Sequence, residues 1–568
     1  MQMTGAELIV NVLKEQGCDT VFGYPGGTVI DLYDALYKEQ ASIRHILTAH
    51  EQGASHAADG YARATGKVGV VLATSGPGAT NLVTGIATAM LDSIPIVAIT
   101  GNVATSMIGK DSFQEVNILG VTMPITKHNY FVTDVNDLAD VLREAFQIAK
   151  SGRPGPVLVD VPKDVQTALC DYVPAEVVVP APAPETDAVG LEAALELIRH
   201  AERPFLYVGG GAARADAMHP GVAEKIVALA ERLDAFIGST FMGLSVVSSE
   251  EARFLGMQGM HGRYESTMAN KNADLILGVG VRFSDRATGK TSRFAPNAKI
   301  IQLDADVSEI NKSILVDVGL VGGLQQTLDC LLERLEPQQH PAWRDQVAAL
   351  REKGVELRAA ADAATPGAIT PMQVFEVLNQ VKQETDIVVT DVGQHQMWAA
   401  QYTRLTLPRK FISSGGLGTM GFGMGAAIGA HIGSGERTIL ITGDGSFAMN
   451  LNELATAVTY GVPMTIVLLN NHVLGMVRQW QTLFYSARHS STSHGRVTDY
   501  VALTKAFGGE AVRAEDAASF RAALEQSMLR RGPTLIEVAI DPDALVLPML
   551  PPGGGIDDMI TSKEEAYS

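Results

Sequence analysis

The chain has 568 residues, of which 46% are hydrophobic and 19% are charged, and this length suggests roughly three or four domains with ample apolar material for buried cores. The formal net charge of −19 argues against a surface for nucleic acid or an anionic membrane, because the phosphates would be repelled. Cys18, Cys170 and Cys330 lie far apart, which predicts neither a disulfide framework nor a zinc site and fits a reducing cytoplasm. No apolar run approaches the roughly 20 residues of a membrane span, and residues 6–10 predict a folded helix rather than a signal peptide.

Short apolar strands alternate with helical patterns along the chain, which is typical of parallel, doubly wound sheets. The predicted strands are residues 68–72, 96–100, 157–161, 204–208, 275–279, 299–303, 438–442 and 465–469. A proline-rich stretch at 178–184 predicts a linker, and a polar, helix-prone stretch at 340–365 separates the second block from the third. We therefore expect an α/β protein with three doubly wound parallel-sheet domains, at 1–170, 190–340 and 370–550, and a C-terminal tail at 551–568.

Polar residues follow two strands of the third block at the points where these strands end. The strand at 438–442 stops at Gly443-Asp444-Gly445-Ser446, a helix-like stretch covers 450–460, and the strand at 465–469 stops at Asn470-Asn471. A right-handed crossover would lay both strands in one parallel sheet, so Asp444 and Asn471 would leave the carboxyl edge at which such sheets bind ligands. With the carbonyl of Val473 they form a hard oxygen set that suits Mg²⁺. Each motif alone is most often a turn or a loop, but together they resemble the diphosphate and Mg²⁺ motif of thiamine-diphosphate enzymes.

Glu51 lies in the sequence His50-Glu51-Gln52-Gly53-Ala54, where a glutamate among small helical residues is ordinarily a solvated side chain. A thiamine cofactor changes that expectation, because its aminopyrimidine ring needs a neighbouring carboxylate to promote the imino tautomer. Residues 74–81 follow a predicted strand and indicate a tight turn that opens a helix. The first block is thus also predicted to present polar groups at the carboxyl end of a strand.

Seven further strings, spread over almost the whole chain, make the resemblance closer. They are FGYPGG at 22–27, HEQGA at 50–54, LDSIP at 91–95, FQE at 113–115, GRPGP at 152–156, DVGQHQMW at 391–398 and GTMGFG at 418–423. Together they resemble the catalytic subunit of acetohydroxyacid synthase (acetolactate synthase). The resemblance implies a pyrimidine-binding domain, a central FAD-binding domain and a diphosphate-binding domain of the thiamine-diphosphate enzyme type. It also implies an active site between two subunits, and hence a homodimer or a dimer of dimers.

The resemblance assigns roles to individual residues. The implied catalytic residues are Glu51, Gly27, Gln114, Lys163, Arg286 and Trp480. The residues implied to bind thiamine diphosphate are Glu51, Pro77, Val392, Gly393, Gln394, His395, Gly418, Met420, Gly443, Asp444, Gly445, Ser446, Asn471, Gly475 and Met476, with Asp444, Asn471 and Val473 as ligands of Mg²⁺. Arg286 would receive the carboxylate of the second 2-ketoacid, Trp480 would pack against its alkyl end, and Met420 would lie beneath the bent cofactor. Apart from the resemblance, Arg286 would most often form a surface ion pair with Asp285, Met420 would be an ordinary core residue, and Trp480 would be a core or interface residue.

The middle block contains a glycine-rich sequence of the kind that can bind a dinucleotide. Gly209-Gly210-Gly211 follows the strand at 204–208, but Arg214 stands where a dinucleotide fingerprint needs its third glycine, so a hydride-transferring Rossmann enzyme is poorly supported. The resemblance implies instead an extended FAD against Arg153, Gly210, Thr240, Phe241, Met260, His261, Gly262, Gly280, Arg282, Asp304 and Ala305. Four positions depart from the family pattern: Ser284 and Gly323 stand where it usually has aspartate, Gly425 where it has proline, and Asn102 where it has glutamine. The first two bear on the strength of FAD binding.

We therefore expect a cytoplasmic acetohydroxyacid synthase that decarboxylates pyruvate and ligates the hydroxyethyl unit to pyruvate or 2-ketobutyrate. The products, 2-acetolactate and 2-aceto-2-hydroxybutyrate, serve the synthesis of valine, leucine and isoleucine. Alternatives with the same fold are pyruvate oxidase or decarboxylase, which Arg286 and Trp480 disfavour, and glyoxylate carboligase, which Glu51 disfavours. A catalytically idle FAD-binding or scaffolding subunit is the alternative from another class. The sequence leaves open the oligomer beyond a dimer, a small regulatory subunit, feedback inhibition and the preference between the two ketoacids.

Overall fold

The computed structural model of the chain describes residues 2–177, 185–365, 367 and 369–567, so the predicted linker at 178–184 lies outside it. Within the described residues the chain forms three six-stranded sheets and a small two-stranded antiparallel sheet. The neighbouring strands of each large sheet run parallel. In these ranges no helix is both long and apolar enough to cross a membrane. The predicted α/β class with three doubly wound sheets is confirmed.

The first large sheet has the strand order β3-β2-β4-β5-β7-β6, while β1 pairs with β8. Its strands are β1 (Gln2–Thr4), β2 (Thr20–Tyr24), β3 (Arg44–Leu47), β4 (Gly69–Ala73), β5 (Ile96–Asn102), β6 (His128–Phe131), β7 (Val157–Pro162) and β8 (Leu169–Asp171). Its helices are α1 (Gly5–Glu15), α2 (Ile30–Lys38), α3 (Glu51–Thr65), α4 (Pro77–Asn81), α5 (Val83–Asp92), α6 (Ile118–Thr122), α7 (Leu138–Lys150) and α8 (Lys163–Thr167).

The second sheet has the strand order β11-β10-β9-β12-β13-β14. Its strands are β9 (Pro204–Val208), β10 (Phe236–Ser239), β11 (Phe254–Met257), β12 (Leu275–Val279), β13 (Lys299–Asp304) and β14 (Val318–Val321). The helices of this region are α9 (Ala188–Arg199), α10 (Gly210–Met218), α11 (Val222–Arg232), α12 (Tyr264–Asn272), α13 (Asp285–Thr288), α14 (Leu324–Arg334) and α15 (Pro341–Ala363).

The third sheet has the strand order β16-β15-β17-β18-β20-β19. Its strands are β15 (Ile387–Thr390), β16 (Phe411–Ile412), β17 (Thr438–Gly443), β18 (Met464–Asn470), β19 (Glu510–Ala514) and β20 (Thr534–Ala539). The helices of this region are α16 (Pro371–Val381), α17 (Gln394–Tyr402), α18 (Phe422–Ser434), α19 (Asp444–Asn450), α20 (Leu454–Thr459), α21 (Gly475–Phe484), α22 (Tyr500–Ala506), α23 (Ala517–Met528) and α24 (Lys563–Tyr567).

The predicted strands agree with observed strands to within two residues at either end. The central strands β4, β12, β17 and β18 are buried along their whole length. Continuous apolar runs of this kind suit parallel strands whose two faces are both covered by helices. Because neighbouring strands run parallel, the loops at their carboxyl ends lie at one edge of each sheet.

The predicted helix at 450–460 and the predicted turn at Gly443 to Ser446 are wrong in detail. Asp444 follows β17 directly as the first residue of α19, and a 3₁₀ turn at Leu451–Glu453 separates α19 from α20. Asn450 ends α19 because its backbone leaves the helical region and its Nδ2 donates to Gly421 O at 3.1 Å. The side chain of Glu453 accepts hydrogen bonds from Ala49 N and Thr456 Oγ1. Periodicity alone does not reveal this break, because these contacts come from distant parts of the chain.

Helices α3 and α18 pack backbone to backbone and join the first sheet to the third. A side chain at Gly60 would overlap the carbonyl of Ala426, and one at Gly429 would overlap that of Ala57. Gly425 lies in the first turn of α18, where a Cβ would be 2.6 Å from Gly53 O. The glycines therefore permit a helix separation that a larger side chain would prevent.

Two segments tie the middle sheet to its surroundings. On α15, Trp343 is 1% exposed and donates from Nε1 to Pro204 O at 3.1 Å, so this helix packs on the second sheet. Leu550 N donates to Met260 O at 2.8 Å, and Lys290 N donates to Gly554 O at 3.0 Å. The chain beyond the third sheet thus returns to the middle domain.

Candidate active site

A cavity of about 680 Å³ lies between the carboxyl edge of the third sheet and the loops of the second. Most of the residues predicted to bind cofactors or substrate line it. They are Val392, Gly393, Gln394, His395, Gly418, Met420, Gly443, Asp444, Gly445, Ser446, Asn471, Val473, Gly475, Met476 and Trp480 from the third domain, and Gly210, Thr240, Phe241, Met260, His261, Gly280, Arg282 and Arg286 from the second. The remaining predicted residues do not line it; they are Glu51, Gly27, Pro77, Gln114, Lys163, Arg153, Gly262, Asp304 and Ala305.

Asp444 is a buried carboxylate at the third-domain side of the cavity, with 2% of its surface exposed. Tyr500 donates from its hydroxyl to Asp444 O at 3.1 Å and so fixes the backbone. Burial raises the pKa of Asp444, and the neighbouring His494 partly opposes this. His494 Nε2 lies 2.9 Å from Asp444 Oδ2, close enough for an ion pair when the imidazole is protonated, although the angle is not that of a hydrogen bond.

Asn471 is oriented by its neighbours at the adjacent strand end. Its Nδ2 donates to Gln394 Oε1 at 3.3 Å, and its Oδ1 accepts from Val473 N at 3.2 Å. Gln394 is held in turn, because its Nε2 donates to Gln479 Oε1 at 3.0 Å and to Ala544 O at 2.7 Å. The amide plane of Asn471 therefore has a defined orientation at the edge of the cavity.

The donor set of this edge fits Mg²⁺ held jointly with a diphosphate. Among the residues that the structure describes, no three His, Cys, Asp or Glu side chains form a metal-binding group. A cation here would rest on the carboxylate of Asp444, the amide of Asn471 and the carbonyl of Val473, with the remaining positions filled by phosphate oxygens. Asp444 Oδ2 is buried, and its close polar neighbour is His494 Nε2 at 2.9 Å. An oxygen of this kind is suited to a metal.

His395 supplies a second unsatisfied polar group. It is 6% exposed, and burial lowers its pKa to about 3, so the imidazole is neutral at physiological pH. Its ring lies against Gly443, where a Cβ would be 2.8 Å from His395 Nδ1. Its Nε2 has no hydrogen-bond partner among the described residues. Because an unsatisfied buried nitrogen costs free energy, this atom is suited to a bound ligand.

The part of the cavity that faces the second domain fits an extended anion such as a dinucleotide. A Cβ at Gly280 would lie 2.6 Å from Ala212 N, so the end of β12 and the start of α10 approach each other at backbone contact. Arg214 lines the cavity, and its Nη1 donates to Asp92 O at 3.4 Å. Burial and the nearby Arg153 lower the pKa of Arg214 to about 10, which leaves it cationic at neutral pH. Arg214 forms no salt bridge with a carboxylate of the described chain, so its charge is available to a phosphate.

Two of the arginines implied for FAD differ in position, since Arg282 lines the cavity and Arg153 does not. Arg153 donates to Glu309 Oε1 at 2.6 Å and to Ser93 Oγ at 2.7 Å, so both groups occupy its guanidinium. Arg282 lines the cavity and donates to Leu91 O at 2.7 Å. Ser284 and Gly323, which depart from the family pattern, begin α13 and α14 as their N-cap residues.

Arg286 and Trp480 lie together on the cavity wall. The guanidinium carbon of Arg286 lies 5.7 Å from the centroid of the Trp480 ring. Arg286 is 62% exposed, and its Nε is 3.8 Å from Asp285 Oδ2, a separation at which a solvated ion pair adds little. Trp480 is only partly buried, and so is Met420. The side chains of Trp480 and Met420 are therefore not enclosed in a hydrophobic core, and both residues line the cavity.

The predicted residues of the first domain form a separate cluster at the carboxyl edge of the first sheet. Glu51 is the first residue of α3, is 8% exposed and accepts from Asn81 Nδ2 at 2.9 Å. Asn81 ends α4, the helix that begins at Pro77. Lys163 Nζ donates to Gly27 O at 3.3 Å. Gln114 packs on Gly76, where a Cβ would be 2.8 Å from Gln114 O.

Sequence reasoning missed three residues that the structure places at the site. In the sequence Arg214 stands out only because it replaces the third glycine of a dinucleotide fingerprint. Its position one turn into α10 was the available signal that it lies near the ligand site. Asp92 lines the cavity, and it had been noted only as part of a motif. His494 reaches Asp444 from a segment without regular structure, and no pattern in the sequence indicates that contact.

Comparisons with known proteins agree with the division into three sheets. Family models described as the N-terminal TPP binding domain, the central domain and the C-terminal TPP binding domain of thiamine pyrophosphate enzymes match residues 3–121, 191–331 and 391–538. The acetolactate synthase large subunit of Parasynechococcus marenigrum is 44% identical over 98% of this chain and 91% of that protein. The acetolactate synthase isozyme 2 large subunit of Escherichia coli is 44% identical over 98% of this chain and 99% of its own length. A probable acetolactate synthase large subunit of Methanocaldococcus jannaschii is 42% identical over 98% and 95% of the two chains.

Proposed function

This chain belongs to the acetolactate synthase large-subunit family of thiamine pyrophosphate enzymes, and from that premise we propose how its own residues perform the reaction. The family activity is acetohydroxyacid synthesis: pyruvate loses CO₂, and the hydroxyethyl unit is joined to pyruvate or 2-ketobutyrate. The products are 2-acetolactate and 2-aceto-2-hydroxybutyrate. Both cofactor-binding domains of the thiamine pyrophosphate family are present in the chain.

The active site is formed by two chains. The observation that carries this proposal is the separation of the site residues into the cavity around Asp444 and the cluster around Glu51. The segments that carry Gly27 and Gln114 expose large apolar side chains, among them Ile30 at 59% and Phe113 at 87%, which suits a protein interface. The cluster of one subunit would close the cavity of its partner, giving a homodimer or a dimer of dimers. The relatives are named large subunits, which supports a further small subunit.

The third domain holds the diphosphate end of the cofactor. Asp444, Asn471 and the carbonyl of Val473 would hold Mg²⁺, and the buried Nε2 of His395 would be available to the bound cofactor. When bound, thiamine diphosphate supplies an electron sink that permits loss of CO₂ from a 2-ketoacid and transfer of the remaining two-carbon unit. Met420, which lines the cavity, would pack against the cofactor. Glu51 of the other subunit holds a proton at the ring nitrogen of the aminopyrimidine, and Asn81 keeps its carboxylate in place.

The second 2-ketoacid binds between Arg286 and Trp480. A guanidinium can hold a carboxylate through two hydrogen bonds, which orients the alkyl end of the substrate toward the indole. Gly27, Gln114 and Lys163 of the other subunit complete the pocket, and Lys163 fixes the backbone at Gly27. These contacts exclude water and leave room for a small acyl acceptor.

Gly210, Gly280, Arg214 and Arg282 of the second domain would hold FAD, whose role would be structural because the reaction involves no net electron transfer. The available cation of Arg214 supports this assignment. The serine and glycine at positions 284 and 323 would make the flavin more weakly held. We propose a cytoplasmic enzyme with domain limits at 1–170, 190–340 and 370–550 and a tail at 551–568.

The deciding experiment supplies purified protein with pyruvate, thiamine diphosphate, Mg²⁺ and FAD. Formation of 2-acetolactate, measured by its acid decarboxylation to acetoin, is the expected result. Acetaldehyde or acetyl phosphate as the main product would indicate a decarboxylase or an oxidase, and turnover of glyoxylate alone would indicate a carboligase. Absence of any product with bound flavin would favour an idle flavin-binding subunit.

A further inference from the structure

The loop between β16 and α18, residues 413–421, carries Gly418 and Met420 to the cavity; we call it the cofactor loop. Its glycines at 415, 416 and 418 are exposed, and Gly418 has a φ of 67°, a conformation that glycine adopts most readily. Among the described residues, its side-chain hydrogen bonds with the rest of the third domain lie at its two ends: Gln396 Nε2 donates to Ser414 O at 3.1 Å, and Asp391 Oδ1 accepts from Gly421 N at 2.8 Å. A glycine-rich loop of this kind loses much conformational entropy when it is ordered.

Side chains of the first domain hold the middle of the cofactor loop. Asp92 Oδ1 accepts from Gly416 N at 2.7 Å, and Asp92 Oδ2 accepts from Gly415 N at 3.1 Å. The hydroxyls of Thr88 and Thr419 share a buried hydrogen bond of 2.7 Å. Both Thr88 and Asp92 belong to α5, so one helix contacts the loop at three points.

Arg63, in the last turn of α3, forms hydrogen bonds with both Asp92 and the cofactor loop. Its Nη2 donates to Asp92 Oδ2 at 2.9 Å, and its Nη1 donates to Ser413 O at 3.0 Å. Asp59 binds the same guanidinium from the preceding turn of α3. The side chain of Arg63 is 8% exposed, and its guanidinium carbon lies 5.4 Å from the ring centroid of Phe422 at the start of α18. A buried guanidinium with all its partners in place has one favourable position.

We propose that Arg63, Asp92 and Thr88 are positioning residues, which order the cofactor loop from the first domain so that Gly418 and Met420 are preset for thiamine diphosphate. The proposal rests on the proposed function, since it assigns the loop to that cofactor. None of the three residues needs to touch the reacting atoms. Their effect is to remove the entropy cost of ordering the loop from the binding step.

Two variants test the proposal, each with a matched control. Arg63→Lys retains the charge and loses the paired hydrogen bonds. Its control is Arg143→Lys, because Arg143 also binds one carboxylate twice, at 2.8 and 2.9 Å to Glu15, and lies 6.0 Å from the ring centroid of Tyr172. Thr88→Val removes one hydroxyl without a change of shape. Its control is Thr465→Val, since Thr465 shares a buried hydroxyl pair of 2.9 Å with Ser527, on β18 and α23.

Two readouts are measured for the wild type and all four variants. Amide hydrogen exchange of residues 413–421 is followed by mass spectrometry without added cofactor, and the Kd for thiamine diphosphate is measured by tryptophan fluorescence at saturating Mg²⁺. We expect Arg63→Lys and Thr88→Val to speed exchange in the loop and to raise the Kd by about fivefold or more. We expect the two controls to lower Tm by a similar amount while loop exchange and Kd stay at wild-type values.

Equal Kd and exchange in test and control variants would overturn the proposal. Faster exchange in the loop with an unchanged Kd would also overturn it, because the loop would then be ordered without preparing the site. A wild type that binds no thiamine diphosphate would refute the proposed function and the assignment of the cofactor loop to that cofactor. The exchange data would still show whether Arg63 orders the loop. If Arg63→Lys fails to fold, Thr88→Val decides the outcome.

Discussion

Arg286 covers the indole of Trp480, with its guanidinium carbon 5.7 Å from the ring centroid, so the group proposed to bind the carboxylate and the group proposed to bind the alkyl end of the acceptor are in mutual contact. A cation over an aromatic ring is worth about 0.5–1 kcal/mol at an exposed site. The two residues therefore cannot be varied independently, and their effects on substrate choice should be non-additive.

Trp480→Leu should reduce the preference for 2-ketobutyrate over pyruvate. The two substrates differ by one methylene, whose burial is worth about 0.8 kcal/mol, or about fourfold in product ratio. A competition assay with both ketoacids measures that ratio. Phe484→Leu is the control, because Phe484 lies 5.9 Å from Trp480 on α21 but does not line the cavity. An unchanged product ratio in Trp480→Leu would refute the role of Trp480 in specificity.

Arg286→Ala should weaken the use of either 2-ketoacid as acceptor.

Asp444→Ala should abolish retention of thiamine diphosphate and Mg²⁺ while the fold persists, because the change removes the proposed carboxylate ligand of the metal and also the burial cost of that carboxylate. Cofactor content after gel filtration and Tm without cofactor are the measurements. Asp516→Ala is the control, since Asp516 caps α23 of the same domain and its loss should lower stability without affecting the cofactor. Normal cofactor affinity in Asp444→Ala would exclude Asp444 as a metal ligand.

Glu51→Gln should still bind the cofactor but slow exchange of the thiazolium C2 proton by on the order of 10²- to 10⁴-fold, because the amide cannot take part in proton transfer to the aminopyrimidine. Quenched-flow exchange in D₂O followed by NMR measures the rate. Glu453→Gln provides the comparison, since Glu453 is also a buried glutamate and lies against Gly53 of α3. Wild-type exchange in Glu51→Gln would remove Glu51 from the mechanism.

Arg214→Gln should weaken the affinity for FAD by about 10- to 100-fold, as expected for loss of a hydrogen bond to a charged group. The purified protein, otherwise yellow, should then contain less flavin. The ratio of flavin absorbance to protein after denaturation measures this. Arg263→Gln serves as the control, because Arg263 donates to Gln401 O and does not line the cavity. Equal flavin loss in both variants would indicate a general loss of stability rather than a flavin contact.

The stability of the fold should depend on Asp160 between mildly acidic and neutral pH. Burial raises the pKa of Asp160 from 3.8 to about 7, although Thr100 and Asn102 donate to its carboxylate. The folded chain then keeps a proton that the unfolded chain has released, so this contribution to stability is full below about pH 3.8 and is lost as the pH rises through about 7.

Asp160→Asn should therefore flatten the decline of Tm between pH 5 and 8, whatever its effect on Tm itself, because the amide does not titrate. Thermal melts across that range in the wild type and the variant are the measurement. Identical slopes would show that Asp160 ionises normally in the folded chain.

The parts of the fold that depend on local pattern could be predicted from the sequence. Buried parallel strands are continuous apolar runs, so their positions and the shared edge of Asp444 and Asn471 were accessible. The break after Asn450 was not, because it depends on a hydrogen bond to Gly421, 29 residues earlier. Arg214 and Asp92 were overlooked for the same reason, since their neighbours come from other parts of the chain. The family resemblance supplied the roles of Glu51 and Arg286, which neither periodicity nor spacing could provide.

The glycine contacts between α3 and α18 have a mechanical consequence. Where two helices touch backbone to backbone, neither can slide or rotate without a collision, so the first and third sheets move as one rigid body. Thr65 at the end of α3 and Ser434 at the end of α18 set the length of that rigid joint. A hinge between these two domains therefore cannot bring the cluster around Glu51 to the cavity around Asp444 within one chain, so the two parts of the proposed site can meet only across a pair of chains.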